Sequence, residues 1–416
     1  MAPNLDDTRL LFAARLGRAA QAASKRLGRG NGAVIGGSVA TFVYPDILTR
    51  ASSGITAVVV SGTNGKTTTT RLIAAALAPR GRVLTNAHGA NLPNGVVSAL
   101  LDPHPGDAHL VAEVDERYLP IVMRDVQPRV VVLLNLSRDQ IDRMAEVRSN
   151  AVRWRTAIAA TPGLTVVANC DDPIVAHAVP EGAQAVWVAA GMRWRWDAMS
   201  CPACGGRIDY DDHGGWRCRT CGRARPHPEV TIDGSRVSLG TDAVELDLGL
   251  PGQHTRSNAA MALAATRVLG VAPTDAADAF TSVTEVDGRY RSLWGDGRPG
   301  RLYLGKNPAG WLEILEVLEQ QEPRPLVLVF NANQPDGRDP SWLWDVPVER
   351  LRGRPVIVSG ERSADMAVRL RYAEVAHTIA PSLPVALAEG RRLGADVLAT
   401  YTAFWQVKGV LSRAEP

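Results

Sequence analysis

An α/β fold built on a mostly parallel sheet is predicted for this chain, because short apolar strands alternate with helical stretches from Ile55 onward. Two further observations shape the expectation. A strand runs straight into the glycine-rich turn Gly62–Thr68 and then a helix, which is the layout of a phosphate-binding loop. Two Cys-x-x-Cys pairs break the rhythm near 196–228, so a small lobe is inserted in the first domain. The expected organisation is an N-terminal helix and loop over 1–38, then a P-loop central domain over 39–287 carrying the insertion. A smaller Rossmann-like α/β C-terminal domain follows over 288–416.

Composition agrees. At roughly 150 residues per domain, 416 residues with 45% hydrophobic content suit two or three domains with sizeable cores. No stretch approaches the ~18 consecutive apolar residues of a spanning helix. Asp6, Asp7 and an Arg-studded alternation argue against a secretory signal, so a cytoplasmic location is expected. A net charge of +3 gives no push towards nucleic acid. Of 46 Lys plus Arg, only Lys25, Lys66, Lys306 and Lys408 are Lys. Arg-favouring codon usage accounts for the excess, and a surviving Lys marks a place where a compact ammonium suits better than a planar fork.

In chain order, Asp7–Gly28 reads as a basic amphipathic helix with Leu10, Leu11, Leu16 and Leu27 among Arg9, Arg15, Arg18, Lys25 and Arg26. It suits either packing against the body of the protein or contact with an anionic membrane surface at the inner face of the plasma membrane. Gly28–Gly37, with five Gly, reads as a loop. Strands are expected at Ile55–Ser61, Arg82–Thr85, His109–Val114, Arg129–Asn135 and Leu164–Asn169, with helices at Lys66–Ala78 and Gln253–Leu269. A second α/β pattern brings strands at Arg301–Leu304, Leu326–Phe330 and Pro355–Val358, with the boundary near Asp287–Arg298.

The loop Gly62-Thr63-Asn64-Gly65-Lys66-Thr67-Thr68 carries the clearest chemistry. Its glycines let backbone N–H groups turn inward around phosphate oxygens, Lys66 can reach the β- and γ-phosphates, and the Thr67 hydroxyl can sit on Mg²⁺. Val60 stands where the generic pattern has its first Gly. This points to ATP or GTP.

The shortened loop resembles that of the Mur ligases and folylpolyglutamate synthetases. Other segments extend the resemblance: Ala112-Glu113-Val114-Asp115-Glu116, Asn169-Cys170-Asp171-Asp172-Pro173, Pro251 to Asn258, and Gly288-Arg289. The resemblance implies that Glu113 binds Mg²⁺, that Asn258 reads adenine and that Arg289 reaches the nucleotide phosphates. It also implies the reaction: ATP phosphorylates a carboxylate, and an amine attacks the acyl phosphate. Three departures narrow it. Gln140 stands where amino-acid-adding members carry a metal-associated His, Lys306 replaces the His of the junction motif, and four Cys are inserted. With Asp336 to Asp345 and Thr400 to Ala403, these features resemble the Mur-ligase-type subunit of lipid II isoglutaminyl synthase.

That resemblance implies amidation of the D-glutamate α-carboxylate of lipid II to D-isoglutamine. Ammonia would come from a class I glutaminase partner resembling GatD, in a heterodimer. Cys170 is outside any nucleophile elbow and reads as a buried small residue. An acid of the C-terminal domain is implied to complete the partner's Cys-His pair; Asp339 and Asp345 are the candidates, with Asp336 behind them. Trp311, Trp342 and Trp344 suit either that interface or the core.

Cys201, Cys204, Cys218 and Cys221 form a paired Cys-x-x-Cys ribbon whose thiolates can close a tetrahedron around a structural Zn²⁺. His213, between the pairs, reads as a loop residue rather than a ligand. Arg207, Arg217, Arg219, Arg223 and Arg225 make the ribbon basic. Two other functions compete: an amino-acid-adding ligase, against which Gln140 and Lys306 speak, and a zinc-ribbon NTPase that binds nucleic acid, against which the near-neutral charge speaks.

Overall fold

The computed structural model describes residues 5–27, 33–86, 90–102, 108–138, 147–284, 290–294 and 300–414. It opens with two helices, α1 (Leu5–Arg26) and α2 (Ala33–Val43), packed antiparallel. Gly17 meets Ala40 and Gly36 meets Gln21, and a Cβ on Gly17 would lie 2.8 Å from the Gly36 carbonyl. This corrects the expectation of a loop over Gly28–Gly37 for its second half, Ala33–Gly37; residues 28–32 lie outside the described residues. From Ala33 the segment is helical, and Gly36 lies at a crossing so close that no larger residue fits. Burial against α1 outweighs the ~1 kcal/mol that each helical glycine costs relative to alanine.

After α3 (Ile47–Ala51) the chain alternates β1 (Thr56–Ser61), α4 (Lys66–Leu77), β2 (Val83–Thr85), α5 (Pro93–Ala99), β3 (His109–Val114) and α6 (Leu119–Val126). The alternation continues through β4 (Val130–Leu133), α7 (Val147–Ala159), β5 (Thr165–Asn169), α8 (Pro173–Ala178) and β6 (Ala185–Ala189). The inserted lobe holds the hairpin β7 (Ile208–Tyr210) and β8 (Trp216–Cys218), and β9 (Val230–Asp233), β10 (Arg236–Leu239) and β11 (Asp242–Glu245) then rejoin the main sheet. That sheet has nine strands in the order β11-β10-β9-β6-β5-β4-β1-β3-β2. It is parallel from β2 to β9, and β10 and β11 extend it antiparallel. Val58–Val60, Val130–Val132 and Val166–Val167 are all fully buried, as strands covered on both faces must be. α9 (Gln253–Val268) and α10 (Pro273–Phe280) pack with α4 on one face. The N-terminal helices and α5 to α8 cover the other.

A second sheet begins at β12 (Tyr290–Leu293) and β13 (Gly300–Leu304), followed by α11 (Pro308–Glu319), β14 (Leu326–Val329), β15 (Val356–Ser359) and α12 (Ser363–Tyr372). β16 (His377–Ile379), α13 (Leu383–Leu393), β17 (Asp396–Ala399) and α14 (Tyr401–Ala414) complete it. Its order is β12-β13-β17-β14-β15-β16, parallel except for the β12–β13 pair. Trp311 and Trp342 are core residues here, meeting edge to face at 6.0 Å, so neither offers interface area. Trp344 is exposed and stacks edge to face on Tyr372.

Candidate functional site

In the nine-stranded sheet β1 is flanked by β3 and β4, and the order of connection switches sides there, with β2 and β3 on one side of β1 and β4 to β6 on the other. Ligands of open α/β sheets bind in the crevice outside the carboxyl ends at such a point. The register delivers the site residues there: Val60 is paired with Glu113, and Ser61 with both Val114 and Leu133.

The loop after β1 is gripped by the segment after β4. The Thr63 N–H donates to the Asn135 carbonyl at 2.9 Å, the Asn64 N–H to Asn135 Oδ1 at 2.9 Å, and the Ser137 N–H to Thr63 Oγ1 at 3.0 Å. Gly65 has φ +89° and begins α4, and a Cβ there would lie 2.4 Å from Asn258 Oδ1, so glycine is required. That contact brings Asn258, on α9, directly against the loop.

Lys66 is only 2% exposed. Its Nζ donates to the Gly62 carbonyl at 2.5 Å and the Thr63 carbonyl at 3.3 Å, and lies 3.5 Å from Glu116 Oε2. Glu113 is fixed through its backbone, because Asn86 accepts from its N–H at 2.9 Å and donates to its carbonyl at 2.7 Å. Glu113 Oε2, Glu116 Oε1 and Ser137 Oγ are buried without a hydrogen-bond partner. Buried carboxylate oxygens left in this way fit a hard divalent cation such as Mg²⁺. Glu116, Asn86, Asn135 and Ser137 were not identified as site residues from the sequence. Glu116 shares a motif with Glu113, and that was the signal available.

Three contacts tie the second sheet's domain to this edge. Asn64 and Asn307 exchange side-chain amide hydrogen bonds of 3.2 Å in both directions. Arg193 pairs with Glu316 at 3.4 Å, and Arg138 pairs with Asp197 at 2.5 Å and with Asp345 at 3.4 Å. Between the domains lies a cleft of about 430 Å³ whose lining includes Asn64, Gly65, Thr68, Asn258 and Lys306. Lys306 precedes Asn307, which caps α11 by accepting from the Gly310 N–H at 2.8 Å. Gln140 and Arg289 lie outside the described residues.

The remaining candidates separate clearly. Asp336 is buried and accepts from the Thr402 N–H at 2.7 Å and the Asn333 N–H at 3.0 Å, so it holds the fold together. Asp339 accepts from the Ser341 N–H at 2.9 Å in an exposed turn, and those Ser341 contacts lower its pKa. Asp345 pairs with Arg138 at 3.4 Å across the junction of the two domains. Burial, then the neighbouring Asp171, pushes the Cys170 thiol up to about 12, so it is no nucleophile.

The four cysteine sulfurs all lie within 4.8 Å of one another, with Cys204–Cys218 at 3.5 Å and Cys201–Cys221 at 3.8 Å. A tetrahedron with Zn–S bonds of ~2.3 Å has edges of ~3.8 Å, so the cluster fits Zn²⁺ and is far too open for disulfides. His213 is not part of it.

A nine-stranded P-loop sheet joined across a cleft to a smaller α/β domain defines a Mur-type ligase. Residues 60–190 match the Mur ligase middle domain and residues 304–404 the MurT ligase C-terminal domain. The chain belongs to the MurT family. It is 31% identical to the Staphylococcus aureus (strain COL) MurT subunit of lipid II isoglutaminyl synthase (glutamine-hydrolysing), over 87% of this chain and 88% of that one. It is 30% identical to the Streptococcus pneumoniae (strain ATCC BAA-255 / R6) MurT subunit over 95% of both. Among solved structures, a pseudomurein peptide ligase type C from Methanothermus fervidus shares the fold, with TM-score 0.70 and 19% identity over 89% and 81% of the two chains. So does the Thermotoga maritima MurF ligase in complex with ADP, with TM-score 0.61 and 18% identity over 88% and 84%.

Proposed function

We propose that this chain is the ATP-using subunit that amidates the D-glutamate α-carboxylate of the lipid II stem peptide, with ammonia supplied by a glutaminase partner resembling GatD. The observation that carries this reading is the junction itself. A P-loop lysine and two buried acids lie behind the loop whose Asn64, Gly65 and Thr68 line a cleft, and Lys306 lines that cleft from the second domain. The carboxylate oxygen attacks the γ-phosphorus and ADP leaves; ammonia then attacks the acyl carbon and phosphate leaves. Lys66 neutralises charge on the transferring phosphoryl group. Mg²⁺, held by Thr67 and Glu113, would supply further charge neutralisation. Asn258 and Arg289 complete the nucleotide site in this reading, and Lys306 steadies the substrate carboxylate or its phosphate. The domain closure held by Asn64 and Asn307 keeps water from the acyl phosphate. Zn²⁺ on the four cysteines would be structural.

The test is amidation of lipid II with Mg·ATP and ammonium. Glu113→Gln is expected to lose at least ~10²-fold in rate, the scale of one electrostatic partner, and Lys306→Met to lower the ammonia-dependent rate by a similar factor. Turnover with a free amino acid but not with ammonia overturns the reading.

For the partner, Asp339 and Asp345 make different predictions. Asp339 is clear of the cleft, so Asp339→Asn should abolish glutamine-dependent amidation and leave ammonia-dependent amidation intact. Asp345→Asn removes the Arg138 pairing and should slow both. A chain with Asp339→Asn that uses glutamine normally removes Asp339 from the partner's triad.

A lipid-linked substrate also suits the N-terminal hairpin. Among the described residues no helix is long and apolar enough to cross a membrane. Phe42 is nonetheless 89% exposed and Phe12 56%, and antiparallel packing brings them to the same end of the hairpin, near Arg9 and Arg15. This basic, apolar surface complements an anionic lipid surface. Sedimentation with phosphatidylglycerol vesicles should be lost on Phe12→Ser/Phe42→Ser and weakened by salt; equal binding to neutral vesicles sinks the idea.

A further inference from the structure

We infer that the cysteine-bearing insertion forms a wall of the nucleotide cleft, and that His213 at its tip contacts the base and ribose end of the bound nucleotide. This rests on the ATP reading above and extends it to a segment the P-loop chemistry does not use.

Strand spacing sets the reach. With the phosphates at the loop after β1, the carboxyl ends of β4, β5 and β6 follow in order along the crevice. At ~4.8 Å per strand, β6 stands ~14 Å from β1, about the length of an extended nucleoside triphosphate. The cleft lining runs the same way, from Asn64 and Gly65 past Asn169 to His213, Gly214 and Arg225 of the insertion. The β7–β8 turn that carries His213 is shaped by Asp211, whose Oδ1 accepts from the His213 N–H at 2.8 Å and the Gly215 N–H at 2.7 Å.

The insertion is also fastened to the turn after β5 that lines the cleft. Trp216 Nε1 donates to the Cys170 carbonyl at 2.9 Å, and Arg225 Nε donates to Asp171 Oδ1 at 2.6 Å. Asp171 Oδ2 in turn accepts from the Gly191 N–H at 2.6 Å at the end of β6. The next residue, Asp172, accepts from the Leu136 N–H at 2.9 Å, beside the Asn135 that grips the phosphate loop. The cysteine knuckles set the position of this wall. The Cys218 N–H donates to the Arg223 carbonyl at 2.7 Å, and the Arg225 N–H to the Trp216 carbonyl at 2.9 Å. Metal at the four sulfurs therefore orders a binding surface as well as a lobe.

The experiment uses the full chain with its zinc content measured, and calorimetric binding of Mg·ADP and of Mg·tripolyphosphate, which lacks base and ribose. His213→Ala, on an exposed turn, should retain zinc. It should raise the Kd for Mg·ADP about ten-fold, the scale of one hydrogen bond, and leave tripolyphosphate binding unchanged. Arg225→Ala should act in the same direction, and for both the KM for ATP should rise with little change in kcat. Zinc-loaded variants that bind Mg·ADP like the wild type overturn the inference and leave the ligase reading standing. A wild-type chain that binds no Mg·ADP overturns both.

Discussion

Lys66→Met is expected to lower the amidation rate by at least ~10³-fold, beyond the loss from a single oxyanion donor, because in the proposed mechanism the group removed faces the phosphoryl group in transfer. It should also destabilise the fold. The Lys66 ammonium and the Glu116 carboxylate are buried together at 3.5 Å, and Glu116 Oε1 has no other partner. Removing one member of a buried ion pair strands the other charge, at a cost of about 3–5 kcal/mol. The double variant Lys66→Met/Glu116→Gln should therefore regain most of that stability and none of the activity. Denaturant unfolding and the ammonia-dependent assay read the two effects separately. If Lys66→Met unfolds at the wild-type midpoint, the buried pairing is not energetically coupled. If it turns over at more than a tenth of the wild-type rate, the lysine has no part in the chemistry.

The second large effect concerns the insertion. Its own buried apolar residues are Cys201, Ile208, Trp216 and Cys218, packed on Ala176 of α8, and two of those four are themselves metal-ligand candidates. So small a core cannot offset the chain entropy of some twenty ordered residues, at about 1–2 kcal/mol each, without a metal. Structural Zn²⁺ contributes ~10–16 kcal/mol in small peptides. Backbone N–H groups of Cys221 and Thr220 lower the Cys218 thiol, while, against the Gly206 N–H, the hydrogen bond between Cys204 and Cys218 raises that of Cys204, so the two sulfurs share a proton that a metal would displace. Cys201→Ser should therefore abolish stoichiometric zinc and open the lobe to protease between Cys201 and Cys221, while the nine-stranded sheet stays resistant. Equal protection of the lobe in the metal-free variant would show that its apolar contacts suffice.

Much of the architecture was legible because parallel strands buried on both faces are continuous apolar runs. The expected strand His109–Val114 coincides with β3, and Ile55–Ser61 and Leu164–Asn169 each differ from β1 and β5 by one residue. What was missed follows from context. β6 is mostly half-buried, and β9 to β11 extend the sheet outward, so their patterns are weaker than those of the central strands. The glycines of α2 read as a loop because a close helix crossing and a flexible turn ask for the same residue. The tryptophans after β13 and β14 read equally as interface or core, because side-chain type does not tell which face is covered.

The sequence by itself determined the fold class, the phosphate loop, the paired cysteines and the family resemblance, all of which depend on local order along the chain. Only the tertiary structure decided that Glu116 pairs with Lys66, that Asn64 meets Asn307, and that His213 and Arg225 line the cleft reached by Lys306. These are contacts between residues up to 243 positions apart. Strand order and the closure of two domains set them, and neither is written in the spacing of neighbouring residues.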